Sequence, residues 1–253
     1  VKWNGNTILV TGGSNGIGLA LAARFLARGN RVVICGRRQE KLDEAKAAYP
    51  ELITVRCDVM LPDERARLLA YMNEAHPEWN VLVNNAGIQQ HVNVRRAAEP
   101  WEHYEREIAI NFDAPVHLTL AALPHLLEQP SAAVVNVTSG LALAPAAWAP
   151  VYSATKAGLR SFTQSLRLQL RGTSVEVIEI VPPAVNTDLG GPGLHTFGVP
   201  VDDFADGVFE KLEAGAEEIG YGDAERRLSL VPRELQSAAE QMWAGFRSRN
   251  PNF

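Results

Sequence analysis

In the stretch VYSATKAG a tyrosine and a lysine, Tyr152 and Lys156, stand four residues apart, with no other formal charge before Arg160. On a helix that spacing stacks the two side chains on one side, where they can share a site. Tyrosine titrates at about 10, so work as an acid or base at neutral pH needs help for its phenolate. A neighbouring ammonium, screened from water, supplies such help and is expected to lower the tyrosine's pKa. The chemistry this predicts is proton exchange with a substrate oxygen. Taken alone the pair is weak, because ordinary amphipathic helices often carry Tyr and Lys at this spacing. Ser139, at the end of AAVVNVTSG, adds a hydroxyl able to donate to an oxygen that gains charge. Asn111, inside EIAINFDAP, is placed to hold a water or a backbone segment for a proton relay to Lys156.

These residues need a scaffold, and the chain alternates short β-branched runs with longer amphipathic stretches. Strands are predicted at 7–11, 31–35, 53–57, 81–84, 133–137 and 175–181. Helices are predicted at 19–28, 39–49, 62–75, 101–128 and 152–170. The strands are apolar throughout, as expected when both faces are covered. The fold class is therefore α/β: one domain over residues 1–253, a Rossmann-type doubly wound parallel β-sheet with helices on both faces. Residues 188–203, DLGGPGLHTFGVPVDD, break the rhythm and are expected to form a mobile substrate lid. A helix at 201–213, a short strand in EEIGYG and a terminal helical stretch follow. That last stretch is expected to cover the sheet edge or a neighbour's pocket, or simply to pack as an ordinary helix.

The first strand runs into TGGSNGIG and then an apolar helix. Gly12 permits the turn, Gly16 lets backbone approach a pyrophosphate, and Gly18 lets the helix pack closely. With Ser14, Asn15 and Ile17 these are the expected dinucleotide contacts, at a helix N-terminus that favours phosphate. The second strand ends in VVICGRRQEK, with Gly36 where an NAD enzyme carries an acid. Arg37 and Arg38 follow directly and read as a clamp for a 2′-phosphate, which points to NADP, with NAD possible.

The bulk composition excludes other classes. Net charge is −5 over 253 residues, which offers no basic field for nucleic acid. No apolar run is long enough to span a bilayer. The N-terminal residues run straight into a strand without a secretory core, so a cytoplasmic location is expected. Cys35 and Cys57 sit at the ends of strand-like runs and read as buried free thiols. The six histidines are scattered, and no metal is expected.

Seven motifs in order, TGGSNGIG, Asp58, NNAG (84–87), Asn111, Ser139, YSATK (152–156) and PPAVNT (182–187), resemble the classical short-chain dehydrogenase/reductases. The resemblance spans nearly the whole chain. It implies that Tyr152 exchanges the proton, that Lys156 lowers its pKa and holds the nicotinamide ribose, and that Ser139 steadies the substrate oxygen. Asn111 then completes the relay. It also implies that Asp58 and Val59 lie by the adenine and that Asn85, Ala86 and Gly87 line the cofactor groove. Pro182, Val185 and Thr187 would meet the nicotinamide end. The family usually has Pro-Gly where this chain has Pro182-Pro183, which should stiffen the loop. The ending EEIGYGDAERR resembles the DltE-like branch. Homodimers or homotetramers built on the long helices around 101–128 and 152–170 are implied as well.

Leu141, Ala142, Trp148, Ile88 and the 188–203 loop are expected to wall a mainly apolar pocket for a small carbonyl or alcohol substrate. Gln89, Gln90 and His91 add polar groups near its mouth. The reading is an NAD(P)-dependent oxidoreductase of the carbonyl reductase type. Two rivals stay open: a cofactor-retaining epimerase or dehydratase, and a non-catalytic NADP-sensing regulator.

Overall fold

The computed structural model describes residues 1–253. Seven parallel strands form one sheet in the order β3-β2-β1-β4-β5-β6-β7. They are β1 (Thr7–Thr11), β2 (Arg31–Gly36), β3 (Ile53–Arg56), β4 (Val81–Asn84), β5 (Ala132–Val137), β6 (Val175–Val181) and β7 (Glu218–Gly220). Successive residues of one strand enter different cores. Ile8 and Val10 join a cluster with Leu21 and Phe25 of α1 (Gly16–Ala27) and Phe204 and Val208 of α7 (Val201–Glu213). Leu9, between them, joins the opposite cluster with Leu68 of α3 (Pro62–Ala75) and Leu118 of α5 (Ala114–Glu128). Both faces of the sheet are thus covered, which is why its strands read as unbroken apolar runs. The order reverses between β1 and β4, and a crevice opens there at the carboxyl ends of the strands.

α2 (Gln39–Ala48) lies between β2 and β3, and α6 (Pro150–Gln169) between β5 and β6. Several predicted ends shift by one to three residues, the first helix beginning at Gly16 rather than at 19. The strand expected at 53–57 stops at Arg56, and Cys57 N–H instead donates to the Gly36 carbonyl at 3.0 Å. The helix expected over 101–128 is continuous, with a π-helical turn at Ala109–Asp113 joining α4 (Trp101–Ile108) to α5. Pro115 supplies the reason. It has no N–H, so the Asn111 carbonyl lacks its ordinary α-helical donor and the ladder must slip there. Two further helices end the chain, α8 (Gly222–Leu228) and α9 (Pro232–Arg249). No helix is long and apolar enough to cross a membrane.

Candidate active site

The glycine loop is built by close approach. Gly12 and Gly16 adopt φ of 64° and 54°, the left-handed region that glycine tolerates. A Cβ on Gly18 would lie 2.3 Å from the Gly12 carbonyl oxygen and 2.4 Å from Asn85 Nδ2. Gly18 therefore packs against the loop and Asn85, a tighter constraint than packing on the sheet. Gly18→Ala is accordingly expected to cost soluble yield or several degrees of Tm, checked by thermal melting beside wild type. Thr11 Oγ1 accepts from the Asn85 and Ala86 amides at 3.0 and 3.1 Å. Asn85 Nδ2 donates back to the Thr11 and Gly12 carbonyls at 3.0 and 3.2 Å. The side chain of Asn85 thus fastens the NNAG segment to the glycine loop.

Asn15 caps α1 without a side-chain bond, and the first turn carries no acid, so its amides face the crevice unopposed. Thr187 arrives from the far side, its methyl 3.3 Å from where a Gly16 Cβ would stand. Ser14 is buried, its Oγ 3.1 Å from a Cβ built on Gly36, which puts the loop against the end of β2. Beyond it lies a recess of about 320 Å³ lined by Arg37, Arg38, Arg56, Asp58, Leu61 and Glu64. Arg56 is a residue that sequence reasoning missed. The signal lay in register, since Arg56 pairs with Gly36 across β2 and β3. Val59 is buried in the core beneath this recess. Glycine cradle, open helix amides and an arginine recess together fit a dinucleotide with an anionic group on its adenosine half.

At the other end of the crevice the four candidate catalytic side chains are all buried. α6 carries Tyr152 and Lys156. Ser139 follows β5, its Oγ accepting from Leu141 N–H at 3.1 Å, and it stands near enough to Tyr152 to favour the phenolate. Asn111 sits in the π-helical turn, where its Oδ1 accepts from Ile88 N–H at 2.9 Å and its Nδ2 donates to the Ile88 carbonyl at 2.8 Å. It therefore positions backbone, one of the two roles read for it. Gly87 passes between Asn111 and Lys156, for a Cβ there would lie 3.3 Å from Asn111 Oδ1 and 3.6 Å from Lys156 Nζ.

Burial dominates the electrostatics of the pair. Burial pushes the Tyr152 phenol up to about 12, with the Ser139 hydrogen bond a partial offset and the charge of Glu107 a further upward push. Lys156 stands close by. Its Nζ lies 5.8 Å from the Tyr152 ring centroid and donates to the Val137 carbonyl at 2.8 Å. Burial also brings the ammonium itself down to about 8, against a raising influence of Glu107. Desolvation outweighs the pairing, because both groups have lost their water. Burial thus favours the neutral form of the Tyr152 phenol.

Leu141, Trp148 and Leu189 pack with Ala146, Ala149 and Tyr152, forming the expected apolar wall. Ala142 lines a groove of about 430 Å³ between α6 and α9 together with Leu141, Ala146 and Trp243. Ile88 packs against the core on the α5 face. The Pro182 carbonyl accepts from Gly140 N–H at 2.9 Å, tying the ends of β5 and β6 together. Val185 is buried and bridges Val199, closing the base of the irregular segment. That segment ends at Pro200, earlier than expected, because α7 already begins at Val201. α9 was left between three roles by the sequence. Here it folds over its own chain's site: Phe246 stacks on Trp148 at 4.6 Å and meets His91 edge-on at 5.9 Å.

Comparison with known proteins decides the family. Residues 6–194 match the short chain dehydrogenase family. The chain is 47% identical over 247 residues to the uncharacterized oxidoreductase DltE of Bacillus subtilis, covering 96% of this chain and 98% of that one. The chain belongs to the short-chain dehydrogenase/reductase family. Within it the DltE likeness gives the branch, and membership makes the chain an oxidoreductase. It is also 35% identical over 182 residues to the NADP-dependent 3-hydroxy acid dehydrogenase YdfG of Escherichia coli, covering 70% of this chain and 72% of that one. Among solved structures, a short-chain dehydrogenase from Sphingobium yanoikuyae in complex with NADPH superposes with a TM-score of 0.79 at 26% identity. That match covers 96% of this dehydrogenase/reductase and 95% of its neighbour.

Proposed function

We propose that this oxidoreductase reduces a small, mainly apolar ketone or aldehyde with NADPH, or oxidises the corresponding alcohol, with Tyr152 as the general acid or base. The observation that carries the reading is the meeting of a protonated, buried Tyr152 with Ser139 at the crevice whose far end holds the glycine loop. When bound, the nicotinamide cofactor supplies or accepts the hydride. The chain's own residues do the rest. Ser139 and Tyr152 hold the substrate oxygen between two hydroxyls, and Tyr152 gives it a proton as charge develops. Lys156, fixed by the Val137 carbonyl, holds a proton beside Tyr152 and presents donors to the cofactor's ribose. Asn111 pins Ile88 and with it the backbone that borders both.

Arg37, Arg38 and Arg56 support NADP over NAD, since three cations around one recess suit a 2′-phosphate. The NADP-dependent relative and the NADPH-bound neighbour agree. Leu141, Trp148, Leu189 and Phe246 support an apolar substrate, and residues 188–200 serve as its lid. Exposed Leu120 and Leu127 of α5 and Leu168 of α6 support a homodimer or homotetramer through those helices. The location read for it is cytoplasmic. The test is oxidation of NADPH and NADH, followed at the nicotinamide absorbance with a panel of apolar ketones and aldehydes. NADPH-preferring turnover upholds the reading. Tight NADPH binding without turnover across the panel instead favours a cofactor sensor. Reduction is also expected to fall as pH rises through about 8, where Lys156 gives up its proton, and a pH–rate profile checks this.

A further inference from the structure

One ionisable group in the site is unused by that mechanism. Glu107 lies on α4 one turn before Asn111, and its side chain is fully buried. Oε1 accepts from the Gln90 N–H at 2.9 Å, while Oε2 has no protein partner. The Gln90 side-chain oxygen, also buried, has none either. A carboxyl group withdrawn from water without a cation bound to it is costly unless it serves a purpose or stays protonated. Burial indeed raises it to about 7, with the Gln90 amide and Lys156 as opposing influences. From α6, Lys156 and Tyr152 are the titratable groups that share its field. On its own helix His103 stands one turn earlier. Asn111, Gly87 and Lys156 are contiguous, and Glu107 joins the neighbouring backbone at Gln90. It makes no direct ion pair with Lys156, and its orphaned Oε2 and the Gln90 Oε1 suit a bridging water.

We propose that Glu107 is a positioning residue of the proton-transfer machinery, exchanging a proton with Lys156 and so resupplying Tyr152. The function of the exchange rests on the reductase reading above. In reduction Tyr152 gives its phenolic proton to the substrate oxygen, and Lys156 returns one ammonium proton to the phenolate. The Glu107 carboxyl then passes its proton through a bridging water to the Lys156 amine, and solvent reprotonates the carboxylate. One proton passes from solvent to product for each hydride from NADPH. With Glu107 at about 7 and Lys156 at about 8, neither partner holds the proton too tightly to pass it on.

The test uses the full chain labelled with ¹³C at the glutamate carboxyls, titrated by NMR, with Glu107→Gln assigning the resonance. One carboxyl is expected to titrate near neutrality and to move to higher pH in Lys156→Met, which removes the charge opposing its protonation. A resonance that titrates with the ordinary carboxylates, or is unmoved in Lys156→Met, overturns the proposal. In the NADPH-and-ketone assay, Glu107→Gln is expected to lower kcat about tenfold. It should also shift the alkaline limb to lower pH, because the carboxylate no longer raises Lys156, and Glu107→Asp should recover part of both effects. An unchanged profile in a turning-over enzyme also overturns it. Wild type without turnover rejects the reductase reading alone, since a Glu107 resonance unmoved in Lys156→Met still overturns the coupling of Glu107 to Lys156.

Discussion

Tyr152→Phe is expected to lower NADPH-dependent ketone reduction by about 10²- to 10⁴-fold, the usual worth of a positioned general acid. The substitution removes one oxygen from a buried ring and leaves its packing against Ala146 and Ala149 in place. Tm should therefore hold within a few degrees, and NADPH affinity within a few-fold. The loss should fall on kcat, because the proton is needed only as charge develops on the substrate oxygen. Binding by fluorescence and turnover by absorbance separate the two effects. Equal losses in NADPH affinity and in kcat would mean that the hydroxyl mainly shapes the cofactor site.

The second large effect concerns the other end of the crevice. Arg37→Ala combined with Arg56→Ala is expected to raise the KM for NADPH about ten- to a hundredfold, through loss of charge-assisted hydrogen bonds to a phosphate. The KM for NADH should hardly change, since NADH has no 2′-phosphate. Arg37 and Arg56 come from the ends of adjacent strands and line one recess with Arg38, so the double variant is the informative one. The salt dependence of KM for NADPH should flatten in parallel, because fewer exposed charges are then available for screening. If NADPH and NADH weaken together, the recess binds adenosine without reading the phosphate.

Which of these features the sequence betrayed follows from how each residue is constrained. The strands were legible because both faces are buried, which leaves runs such as TILVT and VVIC with no polar alternation to misread. The glycine loop, Asn111, Ser139 and the Tyr152–Lys156 pair were legible as motifs with fixed spacing. Arg56 was not, because its role depends on lying beside Gly36 across two strands, a matter of register. The π-helical turn around Asn111 was legible only through Pro115, whose missing N–H was easy to pass over inside an otherwise helical pattern. Glu107 was hidden among Glu102 and Glu105 in WEHYEREI, where three acids look alike and only one is buried. Phe246 was hidden too, since nothing in a terminal amphipathic helix states which surface it will cover.

Energetically, the site trades solvation for control of a proton. Tyr152 and Lys156 are pushed toward their neutral forms by burial, and Glu107 likewise. A lysine that holds its proton only up to about 8 can release it far more readily than one in water. The sequence-based expectation had the ammonium acting on the phenol through simple attraction. Burial adds a second influence, low-polarity surroundings that favour the neutral phenol.

The most direct test follows the atoms. Wild type and Tyr152→Phe would be supplied with NADPH deuterated on either face of the nicotinamide C4, together with a ketone from the turnover panel. The product would then be analysed by mass spectrometry. The account predicts one deuterium at the carbinol carbon per NADPH consumed, from one of the two faces, with product formation in Tyr152→Phe reduced about 10²-fold or more. Alcohol formed without deuterium from either face, or formed equally fast by the variant, would contradict it.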